Sequence, residues 1–208
     1  MSFSLRVLAS LLMFVSAQVF AEGDAAAGQA KSAICAACHG ADGNSMVPNW
    51  PTLAGQHEQY LVRHISLIQS GARMVPEMMG IVPGLSAQDI ADLAAYFAAQ
   101  SNAGGVADES KVALGERIFR AGNAESGVPA CMACHGPAGE GNPLSGYPAL
   151  AGQQAVYTAN ILNRLLIGEN WGEGDAASQV MNGAAAELAD DEIDAVASYI
   201  QGLYNRAE

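Results

Sequence analysis

Apolar residues recur every three or four positions in several segments, and each segment has a counterpart roughly a hundred residues later. Residues 57–70 place their apolar side chains on one helical face, and residues 154–167 repeat the pattern. A further helix is predicted to begin at Ser86, because Asp89 three residues later completes a capping box. No segment alternates with period two for long enough to form a sheet, so the chain is predicted to be all-α.

The helix starts also differ between the two copies. Asp24 is predicted to cap a first helix that runs through Ile34, and its counterpart is predicted over residues 110–121. In the second copy of the last helix, Ala189 occupies the capping position. Asp190 is therefore predicted to cap that helix instead.

The chain carries the same three motifs in the same order in both halves, which indicates two duplicated domains. The predicted bounds are 22–100 and 111–208, joined by the Gly- and Ser-rich linker 101–110. The motif pairs are CAACHGADGNS and CMACHGPAGEG, WPTLAGQ (50–56) and YPALAGQ (147–153), and LSAQDIADLAAYFAAQ (85–100) and LADDEIDAVASYIQGL (188–203).

Residues 1–21 have the pattern of a secretory signal peptide cut after Ala21, with Arg6 before an apolar run. The run from Val7 to Val15 is shorter than the about 20 residues that span a bilayer. We therefore expect export to the periplasm, the alternative being an uncleaved anchor.

The net charge of −12 is unevenly divided: residues 1–21 carry +1, residues 22–104 carry −4 and residues 105–208 carry −9. An acidic surface repels nucleic acid and anionic lipid, and it fits a partner with a basic docking patch. The alternative is that the charge only maintains solubility.

Each half contains one Cys-x-x-Cys-His segment, the attachment signature of c-type haem. Two thiols add to the haem vinyl groups, and the histidine that follows lies under the iron. The alternatives are a redox disulfide or half of a zinc site, but two copies, each followed by PxLxG, favour haem. The candidate residues are Cys35, Cys38, Cys131 and Cys134 for the thioethers, and His39 and His135 for the iron.

Many predicted core positions hold Ala or Gly, so each small domain needs another apolar body, which a haem supplies. The pairs Gly28–Tyr96 and Gly115–Tyr199 are predicted to form close helix crossings. The carbonyls of Pro51 and Pro148 are predicted to accept the second N–H of the proximal histidines, because a ligating histidine needs such a partner.

The sixth iron ligand is predicted from the second half, whose methionines are Met132 and Met181. Met132 lies inside the attachment motif, which leaves Met181, eight residues before Ala189. The residue eight positions before Ser86 is Met78, so Met78 is predicted for the first half. The methionines that fail this register are Met46, Met74 and Met79.

Two histidines are rival ligands that would give bis-histidine iron. His57 is matched by Gln154 and His64 by Ile161, so neither is repeated in the second half. Both are expected to be exposed helix residues.

These motifs resemble the dihaem cytochrome c4 family of the bacterial periplasm over essentially the whole mature chain. The resemblance implies two class I cytochrome c domains, related by a pseudo-two-fold axis and packed face to face, with one covalent haem c in each and propionates near the interface. It implies no enzyme activity, but electron transfer from a donor such as a cytochrome bc complex towards a terminal oxidase or reductase, often with loose attachment to the inner membrane. The resemblance implies that the ligands of the two haem irons are His39, Met78, His135 and Met181.

The chain departs from the family pattern in one segment, and two other functions are compatible with its motifs. The second half carries six extra residues between LAGQ and its methionine, around the Gly-rich acidic segment 168–178, which is predicted to be a loop. A dihaem peroxidase would need one iron with an open position. A cytochrome subunit of a periplasmic dehydrogenase complex would have the same haem chemistry.

Overall fold

The computed structural model describes residues 22–204, so the predicted signal peptide 1–21 lies outside the described residues. Over this range the chain is helical, with two isolated β-bridges and no β-strand, which confirms the all-α prediction. The α-helices are α1 (Ala25–Lys31), α2 (Ala33–His39), α3 (Glu58–Gln69), α4 (Ala87–Ala98), α5 (Glu109–Ala121), α6 (Met132–His135), α7 (Ala155–Leu166), α8 (Ala176–Ala185) and α9 (Asp190–Gly202). Short 3-10 turns occupy Pro76–Met78, Val82–Gly84 and Pro143–Ser145.

A close helix crossing organises each half. A Cβ added to Gly28 of α1 would lie 2.8 Å from the Cβ of Tyr96 in α4. One added to Gly115 of α5 would lie 2.6 Å from the Cβ of Tyr199 in α9. Because only glycine permits such an approach, both predicted crossings are confirmed.

The apolar core follows the same division. In the first half, α3 packs against α4, and in the second half α7 packs against both α8 and α9. The buried first-half core contains Leu61, Leu93, Ala94 and Phe97. The larger second-half core contains Ile118, Phe119, Val128, Leu165, Trp171, Ala185, Leu188, Ile193, Val196 and Ile200, and Leu67 of the first half packs on it.

The first predicted helix is divided in two. The Ser32 hydroxyl donates to the carbonyl of Gln29 at 2.9 Å, and Ser32 ends α1. A serine that bonds back to the preceding turn competes with the helical pattern. The segment CAACH therefore lies on a separate helix, α2, beyond the predicted end at Ile34.

Capping follows the prediction in one copy only. The Ser86–Asp89 capping box is present, with Ser86 Oγ accepting from Asp89 N at 3.1 Å. The prediction that Asp190 caps α9 is wrong, because Asp190 lies within the helix. The Glu192 carboxylate accepts from Ala189 N at 3.1 Å and takes over the capping.

The predicted loop 168–178 is also shorter than expected. Asp175 accepts from Ser178 N at 2.9 Å and starts α8 at Ala176. Trp171, in the remaining loop, is buried in the second-half core. Among residues 22–204, no helix is long and apolar enough to cross a membrane.

Candidate haem-binding sites

Each pair of cysteines lies on one helical turn. Cys35 and Cys38 are in α2; Cys131 is the N-cap residue of α6, and Cys134 lies in its first turn. Residues three positions apart share a helical face, so both thiols of a pair point to one side. None of these four cysteines is joined to another by a disulfide.

The histidine that follows each pair is buried and oriented by a proline carbonyl. His39 Nδ1 lies 2.9 Å from Pro51 O, and His135 Nδ1 lies 3.0 Å from Pro148 O. A carbonyl only accepts, so Nδ1–H donates and Nε2 carries the free lone pair. Burial lowers the pKa of both histidines, which keeps the rings neutral. A neutral ring with a bare Nε2 is the form that binds a metal.

The thiols do not resemble a redox-active pair. Burial raises the pKa of Cys35, and it raises the pKa of Cys131 to about 11. Reactive dithiols are marked by a lowered pKa. Within the described range, no group of three or more His, Cys, Asp or Glu is placed to hold a metal ion, so a zinc site would need ligands from elsewhere.

The candidate axial methionines have different surroundings. Met78 ends the turn Pro76–Met78 and is half-buried, while Met181 lies in α8 and packs against the second-half core, as does Cys131. Met74 and Met46 are 56% and 94% exposed. Met79 is half-buried like its neighbour, so burial separates Met78 from Met74 but not from Met79.

The expectation that the two rival histidines are exposed is wrong. His64 is only 5% exposed, with Arg73 Nη1 2.9 Å from its Nδ1 and Arg63 Nη1 3.1 Å from its Nε2. Burial and the two arginine charges lower the pKa of His64 to about 2. His57 is half-buried, and its Nε2 lies 3.0 Å from Glu140 O in the other half. Packing between the halves covers both side chains.

Arg73, which no sequence motif marks, supplies a test of whether a haem fits. Its side chain is 6% exposed, its Nη2 donates to Tyr157 Oη at 3.0 Å, and its guanidinium lies 4.7 Å from the Trp171 ring. In the part of the chain that is described, Nε has no hydrogen-bond partner and no carboxylate pairs with this cation. A buried cation with no carboxylate in direct contact is costly, and Glu169 attracts Arg73 only from a longer distance. A haem propionate would supply the missing carboxylate.

Comparison with known proteins agrees with this geometry. A family model described as cytochrome c matches residues 25–101 and 112–204. Over 201 residues the chain is 48% identical to cytochrome c4 of Pseudomonas aeruginosa, covering 96% of this chain and 99% of the relative. The chain belongs to the cytochrome c4 family.

Two further relatives extend the comparison. The crystal structure of reduced recombinant cytochrome c4 from Pseudomonas stutzeri matches with a TM-score of 0.83 at 46% identity, covering 88% of this chain and 100% of that chain. A thiosulfate dehydrogenase electron acceptor from Stutzerimonas stutzeri is 34% identical over 94% of this chain and 92% of the relative.

Family membership decides between haem attachment and the alternatives of a redox disulfide, a zinc site or a peroxidase. As a member of this family, the chain carries two covalently bound haem c groups, with one CxxCH segment in each half. It is an electron-transfer protein and not an enzyme, so the peroxidase alternative is wrong.

Replacing Arg73 by Met is expected to lower the reduction potential of one haem by tens of millivolts. Loss of a nearby buried positive charge favours the oxidised, more positive iron, and a unit charge about 10 Å away has an effect of that order. Spectroelectrochemical titration measures the shift, with Arg117→Met, an exposed arginine of α5, as the control. Equal shifts in the two variants would contradict a role for Arg73 next to a propionate.

Proposed function

We propose that this member of the cytochrome c4 family is a periplasmic dihaem carrier that takes electrons from a respiratory donor, such as a cytochrome bc complex, and delivers them to a terminal oxidase. The proposal includes export by residues 1–21 and loose attachment to the inner membrane. The domain bounds 22–100 and 111–208, with linker 101–110, belong to the same proposal.

The residue assignments are also proposals, and one observation carries them: in both halves the Nδ1–H of the CxxCH histidine is held by a proline carbonyl, which leaves Nε2 free. His39 with Met78 ligates one iron, and His135 with Met181 ligates the other. Pro51 and Pro148 orient the two histidines. The thioether residues are Cys35, Cys38, Cys131 and Cys134.

The protein part of the mechanism is to hold each site in one geometry. A bound haem supplies an iron that takes up and releases one electron. The glycine crossings between α1 and α4 and between α5 and α9 hold the helices that frame each site. His39 with Met78 and His135 with Met181 would hold the two irons, and this ligand pair would raise their potentials into the range suited to electron transfer.

The proposed function is tested by an absorption spectrum with haem quantification, followed by oxidation of the reduced protein by purified terminal oxidase. We expect two covalent low-spin haems per chain, a Met-to-iron charge-transfer band in the oxidised protein, and rapid oxidation. A high-spin haem would contradict the ligation, and a failure to reduce the oxidase would contradict the proposed acceptor.

A second candidate function is acceptance of electrons from a thiosulfate dehydrogenase. It is favoured by the 34% identity with a thiosulfate dehydrogenase electron acceptor. Reduction of the oxidised protein by thiosulfate dehydrogenase with thiosulfate, compared with reduction by a cytochrome bc complex with quinol, separates the two donors. The faster donor at equal concentration identifies the role.

We further propose that the acidic second half docks on a basic partner. Asp190 and Asp191 are exposed at the start of α9, where the matching positions of α4 hold Ala87 and Gln88. Opposite charges steer encounters and raise the association rate, and salt screens the effect.

The double change Asp190→Asn with Asp191→Asn is expected to slow oxidation by a basic partner several-fold at low salt, because it removes two steering charges. Stopped-flow rates across a range of ionic strengths measure this. The control, Glu58→Gln with Glu77→Gln, removes the same charge from exposed positions of the first half. A larger effect from the control, or rates independent of salt, would contradict docking through the second half.

A further inference from the structure

The glutamines that end the two LAGQ motifs reach across the interface between the halves. Gln153 Oε1 accepts from Thr52 N at 2.9 Å, and its Nε2 donates to Thr52 O at 2.9 Å. Gln56 does the same to Ala149, with distances of 3.0 Å and 2.9 Å. Gln56 and Gln153 are 7% and 9% exposed, so these four bonds form a symmetric, buried pair of contacts.

The peptide unit that each glutamine holds also orients a proximal histidine. The N–H of Thr52 and the carbonyl of Pro51 belong to one planar peptide unit, and that carbonyl accepts from His39. The N–H of Ala149 and the carbonyl of Pro148 are related to His135 in the same way. Because the unit is planar, fixing the N–H fixes the direction of the carbonyl.

Each glutamine is itself locked in place. Gln153 Oε1 also accepts from Gln154 N at 2.9 Å, and Gln56 Oε1 accepts from His57 N at 3.0 Å. Each carboxamide oxygen thus has two partners, and each amide nitrogen donates across the interface. Hydrogen bonds in such a series polarise one another, so an acceptor on the peptide N–H strengthens its carbonyl as an acceptor.

We propose that Gln56 and Gln153 are crossed positioning residues: each sets the orientation and basicity of the proximal histidine in the opposite half. Gln153 acts on His39 through the Pro51–Thr52 peptide, and Gln56 acts on His135 through the Pro148–Ala149 peptide. The reduction potential of each haem then depends on a side chain of the other domain. The inference rests on the proposed ligation of both irons by these histidines.

The direction of the effect follows from the hydrogen bond at Nδ1. A carbonyl that accepts from Nδ1–H makes the imidazole a stronger donor to the metal. A stronger donor favours ferric iron and lowers the potential. Loss of the glutamine contact weakens the carbonyl as an acceptor, so the potential of the opposite haem rises.

The main test is Gln153→Met, which keeps the side-chain length and removes the carboxamide. We expect the potential of the first-half haem to rise while that of the second-half haem changes much less. Spectroelectrochemical titration gives the two potentials, and NMR of the reduced, 15N-histidine-labelled protein gives the two Nδ1–H signals. The Nδ1–H signal of the first-half histidine is assigned as the one that changes in the Met78→Leu variant.

The reciprocal variant is Gln56→Met, which should move the second-half haem and leave the first. Gln154→Met is the matched control, since Gln154 also crosses the interface, donating to Ser45 O at 2.5 Å, a carbonyl outside the Pro51–Thr52 peptide. If the glutamines had only a structural role, all three variants would shift the reduction potentials of both haems together. That result, or a shift confined to the haem of the glutamine's own half, would overturn the proposal.

The unmodified protein provides a test that does not depend on folding of a variant. In the reduced protein, nuclear Overhauser contacts from the Gln153 side-chain amide to Thr52, and from that of Gln56 to Ala149, are expected. Their absence would overturn the crossed contacts. The proposed ligation fails separately, if the unmodified protein lacks two low-spin His–Met haems.

Discussion

Replacing Met78 by Leu is expected to remove about half of the Met-to-iron charge-transfer absorbance of the oxidised protein. Met78 ends the half-buried turn Pro76–Met78, and it stands in register with Met181 relative to the last helix of each half. Leucine offers no sulfur, so under the proposed ligation one iron loses its soft ligand. The potential of that haem is then expected to fall by on the order of 0.1 V, because axial ligands are the strongest influence on haem potential.

The neighbouring methionine provides the control. Met79 is half-buried and adjacent to Met78, but it fails the register, so Met79→Leu is expected to retain both charge-transfer contributions and both potentials. Absorption near the charge-transfer band and a two-step redox titration measure both variants. If Met79→Leu lost the band and Met78→Leu kept it, the register argument would be wrong.

Replacing Gly115 by Ala is expected to destabilise the second half by about 2–3 kcal/mol, as is typical when a tightly packed contact is overfilled. The added Cβ would lie 2.3 Å from Ala195 O and 2.6 Å from Tyr199 Cβ, so α5 and α9 would have to separate. Urea unfolding of the reduced protein, followed by far-ultraviolet circular dichroism, measures the change.

Gly183 is the matched control, because it also lies within a helix, α8. Among residues 22–204, apart from its chain neighbours and the adjacent backbone of α8, no atom lies within 4 Å of a Cβ placed there. Gly183→Ala is expected to stabilise the protein by roughly 0.5–1 kcal/mol, since alanine loses less backbone entropy and favours the helix. A Gly115→Ala variant as stable as the unmodified protein would show that the crossing is looser than the structure indicates.

Local patterns determined the chemistry of this protein. The spacing of Cys-x-x-Cys-His depends only on neighbouring residues. Because the chain is duplicated, each motif in one half could be checked against its copy in the other half. The helical period and the glycine–tyrosine pairs predicted all-α halves and two crossings, which the structure confirms. These features need no knowledge of how the halves meet, because a helix and its attachment motif are specified within a few turns.

Local patterns failed to predict helix boundaries where a side-chain hydrogen bond competes with the helical period. The hydroxyl of Ser32 divides the first helix, and Asp175 starts a helix in a segment predicted to be a loop. Glu192 replaces the predicted cap at Asp190. In each case a single side-chain hydrogen bond decides the boundary, and boundaries are where the helical period carries least information.

The sequence by itself determined that there are two haem attachment segments, which histidine follows each, and which methionine shares a register in both halves. Only the tertiary structure decided that His64 and Arg73 are buried, and that Gln56 and Gln153 hold peptides of the opposite half. The physical reason is distance along the chain. Gln153 and Thr52 are separated by 101 positions, and their contact arises from packing of the two halves, which leaves no periodic mark on either segment.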